Sequence, residues 1–348
     1  MIKLNRYGLT ASQCSSEFKS LFYEIERAVE HRNKVGYVKE TDIDLGWKPE
    51  GAVRAMIYNQ KVAFTFGCRA LGTLHQIDRA IATSSEPLPN IEFSFVVSDI
   101  PDSRHRDHTF WALTRLAVDE KIWLMPDFGY WSWPLDLVGN YEQIRAEIKA
   151  NEVGWDKKIR KALWRGAAKT NKVRSALLRV SQGKAWADVQ EVKWKNRTDV
   201  ARDSAALSMV DHCSHQFLIH TEGRSYSGRA KYLLNCESIT IMHKSEWIEP
   251  HQSVLELSGP GQNFIQVERD FSDLESKVQE LLQNSEFAKR IARNSAKTFR
   301  DRYLTPAAQA CYWRQLIRSW AEVSFRPKPW ALTGGGKQLR GVPFETFV

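Results

Sequence analysis

The stretch "HTEGRSYSGRAKYLLNC", residues 220–236, gathers groups that can hold an anion. It follows the apolar run "QFLI" and leads into apolar residues at helical spacing, so it is expected to pass from strand through a tight turn into a helix. The first N–H groups of such a helix have no partners and its dipole is positive there, which favours phosphate. Gly223 allows a sharp turn, Ser225, Tyr226 and Ser227 offer N–H and hydroxyl donors beside Arg224, and Arg229 can fork two phosphate oxygens.

The spacing Gly223-x-x-x-x-Gly228 is that of a Walker loop, but Arg229 and Ala230 stand where Lys and Ser or Thr are required. No hydroxyl is left for magnesium and no GxGxxG occurs, so NTPase and ordinary dinucleotide sites lose support. A turn whose glycines serve geometry alone explains the same letters. A second glycine turn, "KALWRGAA" (161–168), carries Arg165, with Arg174 nine residues on; a core Trp and surface arginines account for those equally well.

Asp99 ends the β-rich run 91–97, "IEFSFVV", where a carboxylate at the carboxyl end of a strand faces a ligand crevice, unless it merely caps a turn. Trp131 and Trp133 in "PDFGYWSWP" could form a platform for a sugar ring or belong to a core. Asp127-Phe128-Gly129 has neither HRD nor a glycine-rich loop beside it, which removes a kinase. Asp42-Ile43-Asp44 matches the DxD of metal-dependent sugar transferases in three letters only. His212, His215, His220 and His243 lack the spacing of metal ligands on one helix face, so no metal site is expected.

The elements that must carry these groups alternate. In the 348 residues, helical spacing at 16–33 and 72–84 brackets strand-like stretches on both sides of Asn59-Gln60, and a strand at 91–97 follows. "KIWLMP" and the helix "YEQIRAEIKANE" (141–152) close a first domain, and the chain changes domain around 150–156. Beyond it come "HQFLIH", the turn, a helix and "SITIMH", one βαβ unit. "NFIQVERD" is a further strand, Ser272 and Glu275 have capping-box spacing, and Thr305-Pro306 opens a long helix. This is an α/β chain of two domains with a cleft expected between them.

With 43% hydrophobic and 26% charged residues the chain is globular rather than disordered. The formal charge of +9 invites a nucleic-acid partner, yet the Lys and Arg residues are scattered, which favours a small anionic ligand instead. Five cysteines, at 14, 68, 213, 236 and 311, lack CxxC spacing; disulfides are possible and the odd count leaves one thiol over. No signal peptide or membrane span is visible, so the chain taken as complete would be cytoplasmic.

The segments "WRGAA", "DHCSHQFLIHTEGRSYSGRAKYLLNC", "HKSEWIE", "NFIQVERDFSDLE" and "FRDRYLTPAAQACYWRQLI" resemble glycosyltransferase family 90, which holds protein O-glucosyltransferases and capsule xylosyltransferases with a CAP10 domain, in its fungal branch. The resemblance implies a GT-B fold, two Rossmann-like domains facing across a cleft: 1–152 on the acceptor side, 153–325 holding the nucleotide sugar, and 326–348 as a surface tail. It implies an inverting transfer of glucose or xylose from a UDP-sugar to a hydroxyl of a glycan or protein acceptor, without cofactor or metal, by a monomer in the ER or Golgi lumen. Asp99 in "VVSDIP" takes the base's place. Gly166, Ala167, Arg174, Gly223, Arg224, Ser225, Tyr226, Ser227, Arg229 and Glu246 take those of donor-binding residues, Glu246 toward the ribose. Cys213 and Cys236 match a family disulfide. The alternative is a UDP-sugar-binding protein of the same fold that has lost transfer.

Overall fold

Asn59 and Gln60 both take left-handed φ values, 50° and 61°, the backbone a two-residue hairpin needs to follow the right-handed twist of its strands. The strands on either side, Ala52–Tyr58 and Lys61–Phe64, are therefore antiparallel neighbours. The computed structural model describes residues 6–46, 51–64, 70–101, 108–133, 138–193 and 205–346. It divides into two compact units, Met1–Trp131 with Ile248–Ser253 and Pro306–Val348, and Ser132–Trp247 with Val254–Thr305.

In the first unit a six-stranded sheet runs Val342–Pro343, Lys61–Phe64, Ala52–Tyr58, Ile91–Val96, Phe110–Ala112, Ile122–Leu124. The first three pairings are antiparallel and the last two parallel. A Rossmann-like domain was expected here; its sheet is mixed, because the two-residue connection at Asn59-Gln60 cannot carry the chain back to start a parallel strand. Strand Ile91–Val96 is buried along its whole length. The Phe93 ring stacks on Trp111 at 3.8 Å, and Trp320 meets Trp111 edge-on at 5.6 Å.

Trp320 comes from the helix Pro306–Glu322, which starts on its proline as expected. Cys311 on this helix is bonded to Cys14. That helix also brings a buried guanidinium, Arg314, whose Nε and Nη1 donate to the carbonyls of Ala80 at 2.9 Å and Tyr7 at 2.6 Å. Cys14 lies on the helix Ala11–Phe18, which begins before the helical spacing read at 16–33. Thr10 Oγ1 accepts from Gln13 N at 3.2 Å and Gln13 Oε1 from Thr10 N at 2.9 Å, a reciprocal cap that starts the helix earlier.

The second unit holds a five-stranded, wholly parallel sheet. Its strands, in spatial order, are Ala187–Glu191, Ile159–Gly166, His215–His220, Ile239–His243 and Ile265–Val267. His215–His220 and Ile239–His243 are buried throughout, as befits strands covered on both faces. Leu177 from the helix Lys172–Ser181 and Leu274, Val278 and Leu281 from the helix Leu274–Gln283 share their apolar core.

The division of the chain differs from the expected break at 152/153. The helix Tyr141–Asn151 belongs to the second unit, where Tyr141 donates to the Leu304 carbonyl at 3.2 Å and Arg145 to that of Arg300 at 2.7 Å. The final long helix and the tail return to the first unit instead of closing the second. The capping box expected of Ser272 and Glu275 does not form: Glu275 is drawn off to Lys184 Nζ at 2.7 Å and Trp186 Nε1 at 3.0 Å.

Candidate active site

Counted along the chain, the strands of the parallel sheet lie in the order second, first, third, fourth, fifth. The direction of winding reverses between Ile159–Gly166 and His215–His220, and open α/β sheets bind ligands outside the carboxyl ends of the strands at that point. The residues just past those two ends are Ala167 and the segment Thr221-Glu222-Gly223.

Arg174, buried on the helix Lys172–Ser181, ties the two strand ends together. Its Nε donates to the Glu222 carbonyl at 2.9 Å and its Nη1 to the Ala167 carbonyl at 3.3 Å. Asn171 caps the same helix, Oδ1 accepting from Val173 N at 3.1 Å, while its Nδ2 donates to the Gly223 carbonyl at 2.8 Å. The guanidinium carbons of Arg174 and Arg229 each lie 5.9 Å from the centroid of the Trp164 ring. That ring is fixed by its Nε1–H, donated to Thr221 Oγ1 at 3.1 Å.

Two glycines make this arrangement possible. A Cβ on Gly166 would lie 2.8 Å from the Trp164 ring and 3.2 Å from Arg229 Nη2. One on Gly223 would lie 2.8 Å from the Tyr226 carbonyl oxygen. Gly223 is thus needed for close approach and not for an unusual φ, because its N–H reaches across to the carbonyls of Ser225 and Tyr226 at 3.0 and 3.1 Å.

Neither Arg174 nor Arg229 is paired with a described carboxylate. Burial pushes the Arg174 guanidinium down to about 10. Burial, then the charge of Arg174, pushes Arg229 down to about 9. A buried and a half-buried cation crowded together with no counter-charge among the described residues favour an anion beside them. Near them His212 is only 3% exposed, and its Nδ1–H donates to the Ser208 carbonyl at 2.7 Å. Burial first, and the charge of Arg229 second, hold its pKa down at about 4, so it adds no positive charge at neutral pH.

Glu222, 1% exposed, organises the far side of the turn. Its Oε1 accepts from the N–H groups of Glu246 and Trp247 at 2.8 and 3.1 Å, and its Oε2 pairs with Arg269 Nη2 at 2.8 Å. Its own N–H donates to His243 Nε2 at 3.1 Å, which fixes a neutral tautomer whose Nδ1–H goes to the Lys244 carbonyl at 2.9 Å. The one buried carboxylate of the turn is thereby committed to Arg269, and the positive charge of Arg174 and Arg229 stands.

Of the residues singled out from sequence, Gly166, Ala167, Arg174, Gly223 and Arg229 come together in this one place. Ser225 and Tyr226 are buried in the turn, Ser227 is half-buried, and Arg224 is exposed. The helix after the turn is Ala230–Leu233, only four residues, because the chain must reach strand Ile239–His243 by way of the Cys213–Cys236 disulfide. The expected dipole of a full helix behind Ser225–Ser227 is therefore replaced by the arginine pair as the source of positive potential. Glu246 is exposed, its Oε2 3.1 Å from Arg269 Nη2. Arg165 points elsewhere: its Nη2 pairs with Asp188 on the neighbouring strand at 2.8 Å.

In the first unit, Asp99 is exposed three residues past the carboxyl end of strand Ile91–Val96. Trp131 is stacked on His75 at 4.4 Å, with the Arg79 guanidinium 4.9 Å from its ring, so that part of its surface is covered by protein. Trp133, in the second unit, lies 5.7 Å from Lys231 Nζ. Asp42 of the DxD-like triplet caps its own turn, Oδ2 accepting from Lys39 N at 3.0 Å. Asn171, Glu222 and the Cys14–Cys311 bond were not singled out, and His212 was weighed only as a metal ligand. An Asn two residues before Val173 is a cap signal that could have been read; a fully buried Glu is rare enough that no local pattern announces it.

A parallel sheet with a switch point and an arginine pair beside it has the form of an α/β ligand-binding unit suited to an anion, and sequence comparison narrows the class. The chain belongs to glycosyl transferase family 90, whose profile matches residues 12–330. It is similar to protein O-glucosyltransferase 1 of Rattus norvegicus, 26% identical over 274 residues that cover 74% of this chain and 68% of that protein. O-glucosyltransferase rumi of Drosophila pseudoobscura pseudoobscura is 25% identical over 268 residues, 73% of this chain and 62% of the relative. Protein O-glucosyltransferase 3 of Homo sapiens matches a shorter stretch, 28% identical over 116 residues, 33% and 22% of the two chains.

Proposed function

We propose that this chain moves a sugar from a UDP donor to a hydroxyl of a protein or glycan acceptor, with inversion and without a required metal, on a GT-B scaffold. The names of its relatives favour glucose over xylose and a protein acceptor. The observation that carries the donor assignment is the pair formed by the buried Arg174 and the half-buried Arg229 over Trp164, with no carboxylate partner among the described residues. A pyrophosphate supplies the negative charge that such a pair lacks.

In this mechanism Asp99 takes the proton of the acceptor hydroxyl. The acceptor oxygen forms the new bond to the anomeric carbon as the bond from that carbon to the UDP oxygen breaks, and UDP leaves with the electron pair. Charge growing on the pyrophosphate is met by Arg229 and by Nη2 of Arg174, which bonds no described residue, donors already in place before the reaction and so spared the cost of reorganisation. The two disulfides, Cys14–Cys311 and Cys213–Cys236, support residence in the oxidising lumen of the secretory pathway.

Donor turnover by Asp99→Asn and Arg229→Ala proteins in EDTA tests these roles. The first should lose about 10²–10⁴-fold in kcat. The second should lose about 10²–10³-fold. Wild-type turnover by either removes its assignment. Tight UDP binding with no transfer to any acceptor would favour the sugar-binding alternative.

A further inference from the structure

The tail beyond the last long helix folds into a hairpin, Trp330–Thr333 against Gly336–Leu339. Trp330 faces Leu339 and Leu332 faces Lys337, so these four side chains share one face of the ribbon. The base is clamped. Arg340 N–H donates to the Pro329 carbonyl at 2.8 Å and Arg340 Nη1 to that of Lys328 at 2.8 Å, while Nη2 pairs with the buried Glu92 at 2.6 Å. Val342–Pro343 then joins the edge of the six-stranded sheet.

The tip, in contrast, is bare: Leu332 is 90% exposed, the largest value among the described large apolar side chains. Behind it, 43% exposed, Trp330 rests edge-on against Tyr58 at 6.3 Å. Lys337, which starts level with Leu332, leans back so that its Nζ is 5.4 Å from the Trp330 ring. Arg326 and Lys328 lie nearer the base, and no Asp or Glu occurs between Glu322 and Glu345.

We propose that this hairpin docks the protein on an anionic lipid surface. Along its axis it presents an aliphatic tip, then an indole, then Lys337, Lys328 and Arg326 in a stretch of sequence with no acidic residue. That is the order in which a bilayer presents acyl chains, interface and headgroups. An acidic protein would also attract the cations, but it gives no reason for an aliphatic side chain to stand outermost with a Lys drawn back from it. No described helix is long and apolar enough to cross a membrane, so the contact is peripheral.

Sedimentation of the full chain with vesicles of phosphatidylcholine alone, or of phosphatidylcholine mixed with phosphatidylserine, tests this. Binding is expected to the mixture only and to fade at high salt. It should fall at least about tenfold for Leu332→Ser, the worth of one buried aliphatic side chain. Lys337→Glu, which leaves the apolar tip intact, should weaken it by a similar factor, and both variants should keep the wild-type melting temperature and donor turnover. Equal sedimentation with both vesicle types, or wild-type binding by both variants, overturns the proposal. So does capture by immobilised polyglutamate in preference to vesicles, which would assign the hairpin to an acidic protein.

Discussion

His212 shows how one buried side chain reports on the positive field around it. An imidazole usually titrates near neutrality, but here burial and the nearby Arg229 charge keep it neutral down to about pH 4. Its folded pKa lies below its unfolded value of 6.5, so between pH 6.5 and about 4 the unfolded chain takes up a proton that the folded chain refuses. Stability therefore falls as pH drops through that interval and is unaffected by this group above it; the loss amounts to about 3 kcal/mol by the bottom of the window. Unfolding midpoints from pH 7 to pH 4 should decline less steeply in His212→Gln than in wild type. Identical slopes would mean that the imidazole is not held neutral. Glu222 carries the opposite sign in the same turn and is neutralised by Arg269 at 2.8 Å, which leaves the arginine pair unopposed. Sequence spacing drew attention to Arg229 and Gly223 because both stand in a strand-to-helix turn, although a turn whose glycines serve geometry alone explained the same letters. It did not pick out Glu222, and it weighed His212 only as a metal ligand; the importance of both comes from being out of water.

At the level of elements, the end of strand Ile159–Gly166 decides where Arg229 sits. An Ala at 166 would place its Cβ 2.8 Å from the Trp164 ring and 3.2 Å from Arg229 Nη2, and neither neighbour can retreat without moving the other. Gly166→Ala should thus lower kcat/KM for the donor by about a hundredfold, the usual effect of displacing a positioned group by ~1 Å. It should cost about 1–3 kcal/mol of stability through overpacking. Steady-state kinetics beside a thermal melt check both, and unchanged kinetics would mean that the close approach is incidental. The hairpin at Asn59-Gln60, the helix opened by Pro306 and the βαβ unit around the 220–236 turn were all readable, since each rests on local turn or capping chemistry. The four-residue length of Ala230–Leu233 was not, because it is set by a disulfide and by the distance to the next strand. Glu275 was misread for the related reason that a long-range Trp and Lys outcompeted a local cap.

For the whole molecule, composition and the alternation of elements indicated an α/β chain, and its two large sheets are one parallel and one mixed. The course of the chain between the two units could not be read from sequence. Pro306–Val348 returns to the first unit because Cys14–Cys311, Arg314 and the Trp320–Trp111 contact hold it there, and contacts between residues more than 200 positions apart leave no trace in a local window. The proposed function makes a single demand: the chain must bind a nucleoside diphosphate through its guanidinium pair. Calorimetric titration of UDP and of uridine into wild-type and Arg229→Ala protein measures this directly. UDP should bind wild type at least about a hundredfold more tightly than uridine does, as expected for two charge-assisted contacts, and most of that margin should vanish in the variant. Equal affinities for UDP and uridine, or an Arg229→Ala protein that binds UDP as wild type does, would contradict the assignment of the arginine pair to the pyrophosphate.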